Sequence, residues 1–228
     1  MTKTELQTQT NYRRRDTTEN FVSLIEMDSY FNEGLRRVAM EYDWEWQQTS
    51  ASITYVDGSN AYALSSVAPG LKTPIDLFYT DDYEFEYVSP EDFDRLAEQD
   101  YNIYSKDGEF LKINSSFGSA TLNLNYYSTY LAKTSAGSWQ ATLSATDDEP
   151  IMPLRFQDII PDYALMRIFQ KEGKVDDYSI AKKDFIEKLN LMKREYPSKA
   201  KRALTRMKSG MKFKTSLGDR KENALQQT

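Results

Sequence analysis

The 228-residue chain contains neither Cys nor His, and that narrows its chemistry before any fold is considered. Without Cys there is no disulfide, no thiolate nucleophile and no zinc–sulfur site. Without His the chain lacks the side chain that titrates near neutrality, and with it most catalytic triads. Carboxylates, Lys, Tyr and hydroxyls remain. Paired carboxylates support glycoside hydrolysis or magnesium-dependent chemistry, so Asp81-Asp82 and Asp147-Asp148-Glu149 are the groups to weigh. Both sit between apolar stretches where turns are expected, and neither has calcium-loop spacing or its turn glycine. Solvated turn acids are the simpler reading. Glu91 and Asp92 follow Ser89-Pro90, where a helix dipole already accounts for acids. No glycine-rich phosphate loop or dinucleotide fingerprint is present. The expectation is no enzyme, no cofactor and no metal.

Binding is better supplied. Residues 193–228 hold 11 basic and three acidic residues, a net of +8; subtracting this from the chain's −6 leaves −14 for residues 1–192. Such asymmetry suits a basic segment that meets an acidic surface, and an acidic body, which repels phosphate, argues against a general nucleic-acid binder; no sequence-specific nucleic-acid partner is expected. Within it charge interleaves with apolar side chains: Lys199, Lys201, Arg202, Leu204, Arg206, Met207, Lys208, Met211, Lys212, Phe213 and Lys214. Two readings stand, a solvated tail and a docking segment that orders on contact. Tyr42, Trp44 and Trp46 form a second cluster. They suit a carbohydrate platform with Trp139, a protein-binding hot spot, or the seal of a helix–sheet junction. The Tyr-rich stretches, with Tyr83, Tyr87, Tyr101, Tyr104, Tyr126 and Tyr127, fit a buried sheet or a subunit interface.

Elements follow from the spacing of apolar residues. Residues 1–15 are polar, run to Arg13-Arg14-Arg15, and read as a flexible arm. Asp16 and Glu19 resemble a capping box. Leu24, Phe31, Leu35, Val38 and Tyr42 then recur at helical steps to about Asp43. The period next becomes alternating. Residues 52–56 and 61–64 flank Asp57-Gly58-Ser59-Asn60 and predict a hairpin; 77–80 and 83–88 are extended. Ser89-Pro90 starts a short helix that Phe93 and Leu96 bury against the sheet. Residues 101–104 and 110–113 predict another hairpin, and 121–127 alternates most regularly. Helical periodicity returns at Pro161-Asp162, is interrupted by Gly173, and resumes through Tyr178, Ala181, Phe185, Leu189 and Met192 towards Pro197. The predicted fold is therefore α+β: N- and C-terminal helices packed together with an inserted antiparallel β module. Its divisions are a 1–15 arm, a helical domain of 17–46 with 154–196, a 47–149 β module, and a 197–228 basic docking tail. No apolar run reaches the ~20 residues of a membrane helix, and the first residues carry no signal-peptide core.

Read in order, these features resemble phage head-to-tail adaptor proteins, the connector rings beneath the portal in podoviruses and some siphoviruses. The resemblance spans residues 17–195. It rests on the helix ending at Trp44 and Trp46, and on the strand start Leu71-Lys72-Thr73-Pro74-Ile75-Asp76, with two residues between Leu71 and Pro74. The Ser89-Pro90-Glu91-Asp92-Phe93 helix, the hairpin after Tyr101, Tyr126-Tyr127 and Leu154-Arg155-Phe156-Gln157-Asp158-Ile159-Ile160-Pro161 complete it. The resemblance implies a homo-oligomeric ring of about twelve copies, bound to the portal protein on one side and to tail tube or nozzle proteins on the other. DNA can pass through such a ring. It implies a virion protein of the head–tail junction, made in the host cytoplasm, that docks through Lys199–Lys214. A terminator ring of the tail and a carbohydrate-binding module are the alternatives.

Overall fold

The computed structural model describes residues 1–14, 22–79, 83–99, 101–116 and 118–196, all within one compact unit, Met1–Ser198. The expected capping pair Asp16 and Glu19, the Asp81-Asp82 pair, Arg15 and the whole docking segment lie outside the described residues.

The first segment differs from expectation. Lys3–Arg14 is a helix, α1, not an arm. It presents Lys3, Leu6, Thr10 and Arg14 to the body at helical spacing, and only Leu6 of these is aliphatic, which is why the apolar pattern gave no sign of it. The second helix, α2, spans Leu24–Glu41. Its cap is Ser23, whose side chain accepts from the Glu26 amide, so this helix starts later than Asp16. Its buried stripe is Met27, Phe31, Leu35, Val38 and Ala39; Leu24, assigned from spacing to that face, is exposed.

A seven-stranded curled sheet follows: β1 (Gln48–Tyr55), β2 (Ala61–Ala63), β3 (Leu71–Phe78), β4 (Glu84–Tyr87), β5 (Ile103–Asp107), β6 (Phe110–Asn114) and β7 (Ala120–Ser128). A single turn, α3 (Leu64–Val67), follows β2, and α4 (Pro90–Ala97) joins β4 to β5. The order is β1-β7-β3-β4-β5-β6-β2. Every pairing is antiparallel except β4 with β5, which the α4 crossover makes parallel. The hairpin at 101–113 forms as β5 and β6. The one expected around Asp57-Gly58 does not: β1 pairs with β7 over eight residues, and β2 pairs with β6. β7 turns Leu122, Leu124 and Tyr126 into a core shared with Ile53, Tyr55, Leu77, Phe85, Tyr104, Leu111 and Ile113. α4 is capped by Ser89 and buries Phe93 against Val88 and Ile103.

The chain then returns to the helices earlier than residue 149. A small sheet of β8 (Ala132–Lys133), β9 (Trp139–Gln140) and β10 (Glu149–Pro150) belongs to this return. Leu131, Ala132, Leu143 and Met152 lie in the same apolar cluster as Phe31, Leu35, Ile160 and Ile168. Two helices close the body: α5 (Ile159–Glu172) and α6 (Val175–Glu195). Gly173 ends α5 in the left-handed conformation, φ 71°, which an L side chain adopts only at a cost. Gly34 lets α2 and α5 approach closely, since a Cβ there would stand 3.1 Å from the Tyr163 side chain. The architecture is α+β, with N- and C-terminal helices sharing one core.

Candidate functional site

Polar, aromatic and exposed apolar side chains concentrate in three regions: the junction of helices and sheet, the seat of α1, and the outer surface of α6.

At the junction, Trp44 is fully buried and its indole N–H donates to the Val38 carbonyl at 2.7 Å. Trp46 stacks on it at 6.0 Å and Tyr42 meets it edge-on at 5.0 Å. The cluster is a seal, and a glycan platform that uses Trp44 is overturned by this burial; Trp139 on β9 is partly exposed. Lys72 of β3 reaches out of the sheet to the end of α2. Its ammonium donates to the Ala39 and Tyr42 carbonyls, each at 2.8 Å, and pairs with Asp43 at 2.8 Å. A cation at a helix C-terminus satisfies carbonyls that have no intrahelical partner and favours the dipole. The Gln47 side chain donates to the Ser128 carbonyl, which ties the chain entering the sheet to the chain leaving it.

The seat of α1 is made by charge. Lys3 pairs with Asp28 at 3.1 Å and donates to the Ser144 carbonyl at 2.7 Å. Arg13 pairs with the fully buried Asp162, and Arg14 with Glu172, both of them almost completely buried. Lys188 of α6 holds Asp158 at 2.5 Å and the other side of Asp162 at 2.6 Å. Burial alone would push the Lys188 amine down, but its bonds to the two carboxylates outweigh this and raise it. Tyr163 donates to Glu33 at 2.8 Å; burial and that carboxylate push its phenol up to about 12, so it stays a donor.

The acid group near residue 148 is not solvated as expected. Asp148 is buried, and its carboxylate accepts from the backbone of Ser144 at 2.7 Å and of Ala145 at 2.6 Å. Burial pushes its pKa up, yet these backbone bonds prevail and hold it below the usual carboxylate value. It organises a turn. A pocket of about 330 Å³ opens beside α4, lined by Phe93, Asp94, Glu98, Lys112 and Asn114. Lys112 is already held there by Asp107 at 2.9 Å and Asp94 at 3.8 Å. Among the described residues no cluster of three or more potential metal ligands occurs, and no helix is long and apolar enough to cross a membrane.

On α6, the expected stripe of Ala181, Phe185, Leu189 and Met192 is buried. Its remaining surface is unusual in carrying Val175, Ile180, Ile186 and Leu191 exposed, a signal present in the sequence but invisible until the buried stripe was fixed.

Helices and sheet are tied by polar contacts, and apolar side chains are left on the outside of the body. A family model for the SU10 adaptor protein matches residues 1–210. The chain belongs to that family, and is accordingly a virion component that interacts with other head and tail proteins. No curated protein matches the chain.

Proposed function

We propose that the protein is the head-to-tail adaptor that assembles as a ring and joins the portal to the tail. Membership of the SU10 adaptor family carries this reading. The charge division supports it, with −14 on residues 1–192 against +8 on residues 193–228. A basic, apolar-studded segment can be steered to an acidic portal surface and gain order there. Repeating that contact around a ring of about twelve copies gives avidity from individually weak sites. In this reading Lys199, Lys201, Arg202, Leu204, Arg206, Met207, Lys208, Met211, Lys212, Phe213 and Lys214 make the docking segment.

The test is a chain lacking residues 197–228, mixed with portal-bearing heads of the same phage and followed by electron microscopy. Loss of attachment with an unchanged thermal transition is expected. Full attachment of the truncated chain would refute the docking assignment. Binding to isolated tails but never to heads would move the protein to a tail-terminator role.

A further inference from the structure

The outer surface of α6 carries two further stripes besides the buried one. Val175, Lys182, Ile186 and Lys193 follow at steps of seven, four and seven. Asp177, Ile180, Asp184, Glu187 and Leu191 follow at steps of three, four, three and four. Both spacings align residues along a helix, and the two lines stand roughly 160° apart around its axis. Their aliphatic members are open to solvent: Val175 is 72% exposed, Ile180 60%, Ile186 44% and Leu191 47%. One line is cationic and the other anionic. Lys182 lies over the Tyr178 ring, and Lys193 pairs with Glu41. Glu187 makes an exposed pair with Lys183 at 3.7 Å. Among the described residues, Lys182, Asp177 and Asp184 have no ion-pair partner.

An exposed helix normally keeps one apolar stripe and a mixed polar remainder. A helix with two extra aliphatic lines, each bearing one sign of charge, fits two neighbours on opposite sides. We propose that these stripes are the two halves of a head-to-tail contact between copies, the Val175–Ile186 line of one chain lying on the Ile180–Leu191 line of the next. The contact is heterologous, and it makes a closed ring when the rotation from one copy to the next divides a full turn. Opposite charges on the two lines favour this pairing and oppose like-on-like association. The inference rests on the ring reading above and supplies its subunit interface.

Complementation tests it. One variant makes the cationic line acidic, Lys182→Glu together with Ser179→Glu, Ser179 lying four residues after Val175 beside that line; the other makes the anionic line basic, Asp184→Lys with Glu187→Lys. Each full-length chain is examined alone and with portal-bearing heads, by sedimentation and electron microscopy, with circular dichroism to check folding. Each variant alone is expected to lose rings. An equimolar mixture is expected to regain them, because every contact in an alternating ring then joins opposite charges. Rings from either variant alone, or no rescue by mixing folded variants, would overturn the contact while leaving the ring standing. Rings that persist while attachment to heads is lost would assign the stripes to another partner and equally overturn it. A wild-type chain that never forms rings, even on heads, would remove the ring reading itself. Because the chain has no Cys, a second readout is available with milder changes. Ile186→Cys and Ile180→Cys chains should cross-link when mixed and not separately; separate cross-linking would mean a symmetric contact.

Discussion

Helices α1 and α5 both lie against α2, yet the two seams are made of different material. Between α2 and α5 the buried contact is shape, Gly34 under Tyr163 with Phe31, Leu35, Ile160 and Ala164 in one apolar cluster, and the polar bonds of Tyr163 and Arg167 to Glu33 and of Lys171 to Glu26 lie towards its open edge. Around α1 the contact is charge, with Arg13, Arg14 and Lys3 on Asp162, Glu172 and Asp28 and a single fully buried aliphatic, Leu6. A packed seam is stabilised by burial, which the screening of charges by salt leaves untouched. An ionic seam gains little net stability but is damaged badly when one partner is removed. The lesson is that α5 is held by what it excludes and α1 by what it matches.

The largest effect should come from the packed seam. Phe31→Ala should cost about 3–5 kcal/mol, read from denaturant unfolding, with the loss independent of ionic strength. A cost under 1 kcal/mol would mean α2 can collapse onto α5 and the distinction fails. Arg14→Ala leaves Glu172 buried with Lys174 as its remaining partner, and should cost about 2–3 kcal/mol. Hydrogen exchange should then lose protection in residues 3–14 while α5 keeps it; equal loss in both helices would merge the two seams. At the junction, Lys72→Met removes the cap on α2 and should cost about 1–2 kcal/mol, with deprotection confined to the last turn of α2 and to β3. The smallest effect concerns pH. The Asp148 carboxyl sits below its ordinary value in the folded protein. Its stabilisation is therefore present above the unfolded value of about 4 and fades as pH falls through the folded one. Asp148→Asn should cost about 1 kcal/mol at neutral pH, and the gap from wild type should close on acidification. A gap that widens in acid would reverse the assignment.

What could be read in the sequence divides along the same line. Shape-driven elements were legible: the α6 stripe from Ala181 to Met192, the Ser89-Pro90 start of α4, the β5–β6 hairpin and the alternation of β7. Each is encoded within a few residues of itself. The α1 helix was not legible, because its partners Asp28, Asp162 and Glu172 are remote and the helix carries almost no apolar signal. β1 was assigned to the wrong partner because Asp57-Gly58 is a local turn signal, whereas the pairing that forms joins Gln48 to Tyr127 across most of the module. Lys72 looked like one lysine among many; its role exists only once a helix end is brought to it. The aromatic cluster was recognised, and burial of Trp44 decided among its readings.

The bond from Gln47 to Ser128 marks a doorway. The chain leaves the helical body at Gln47 and re-enters it beside Ser128, and Lys72 adds a second tie from the sheet to the end of α2. Both ties end on backbone carbonyls, so they place demands on Gln47 and Lys72 themselves and few on the side chains of the residues they reach.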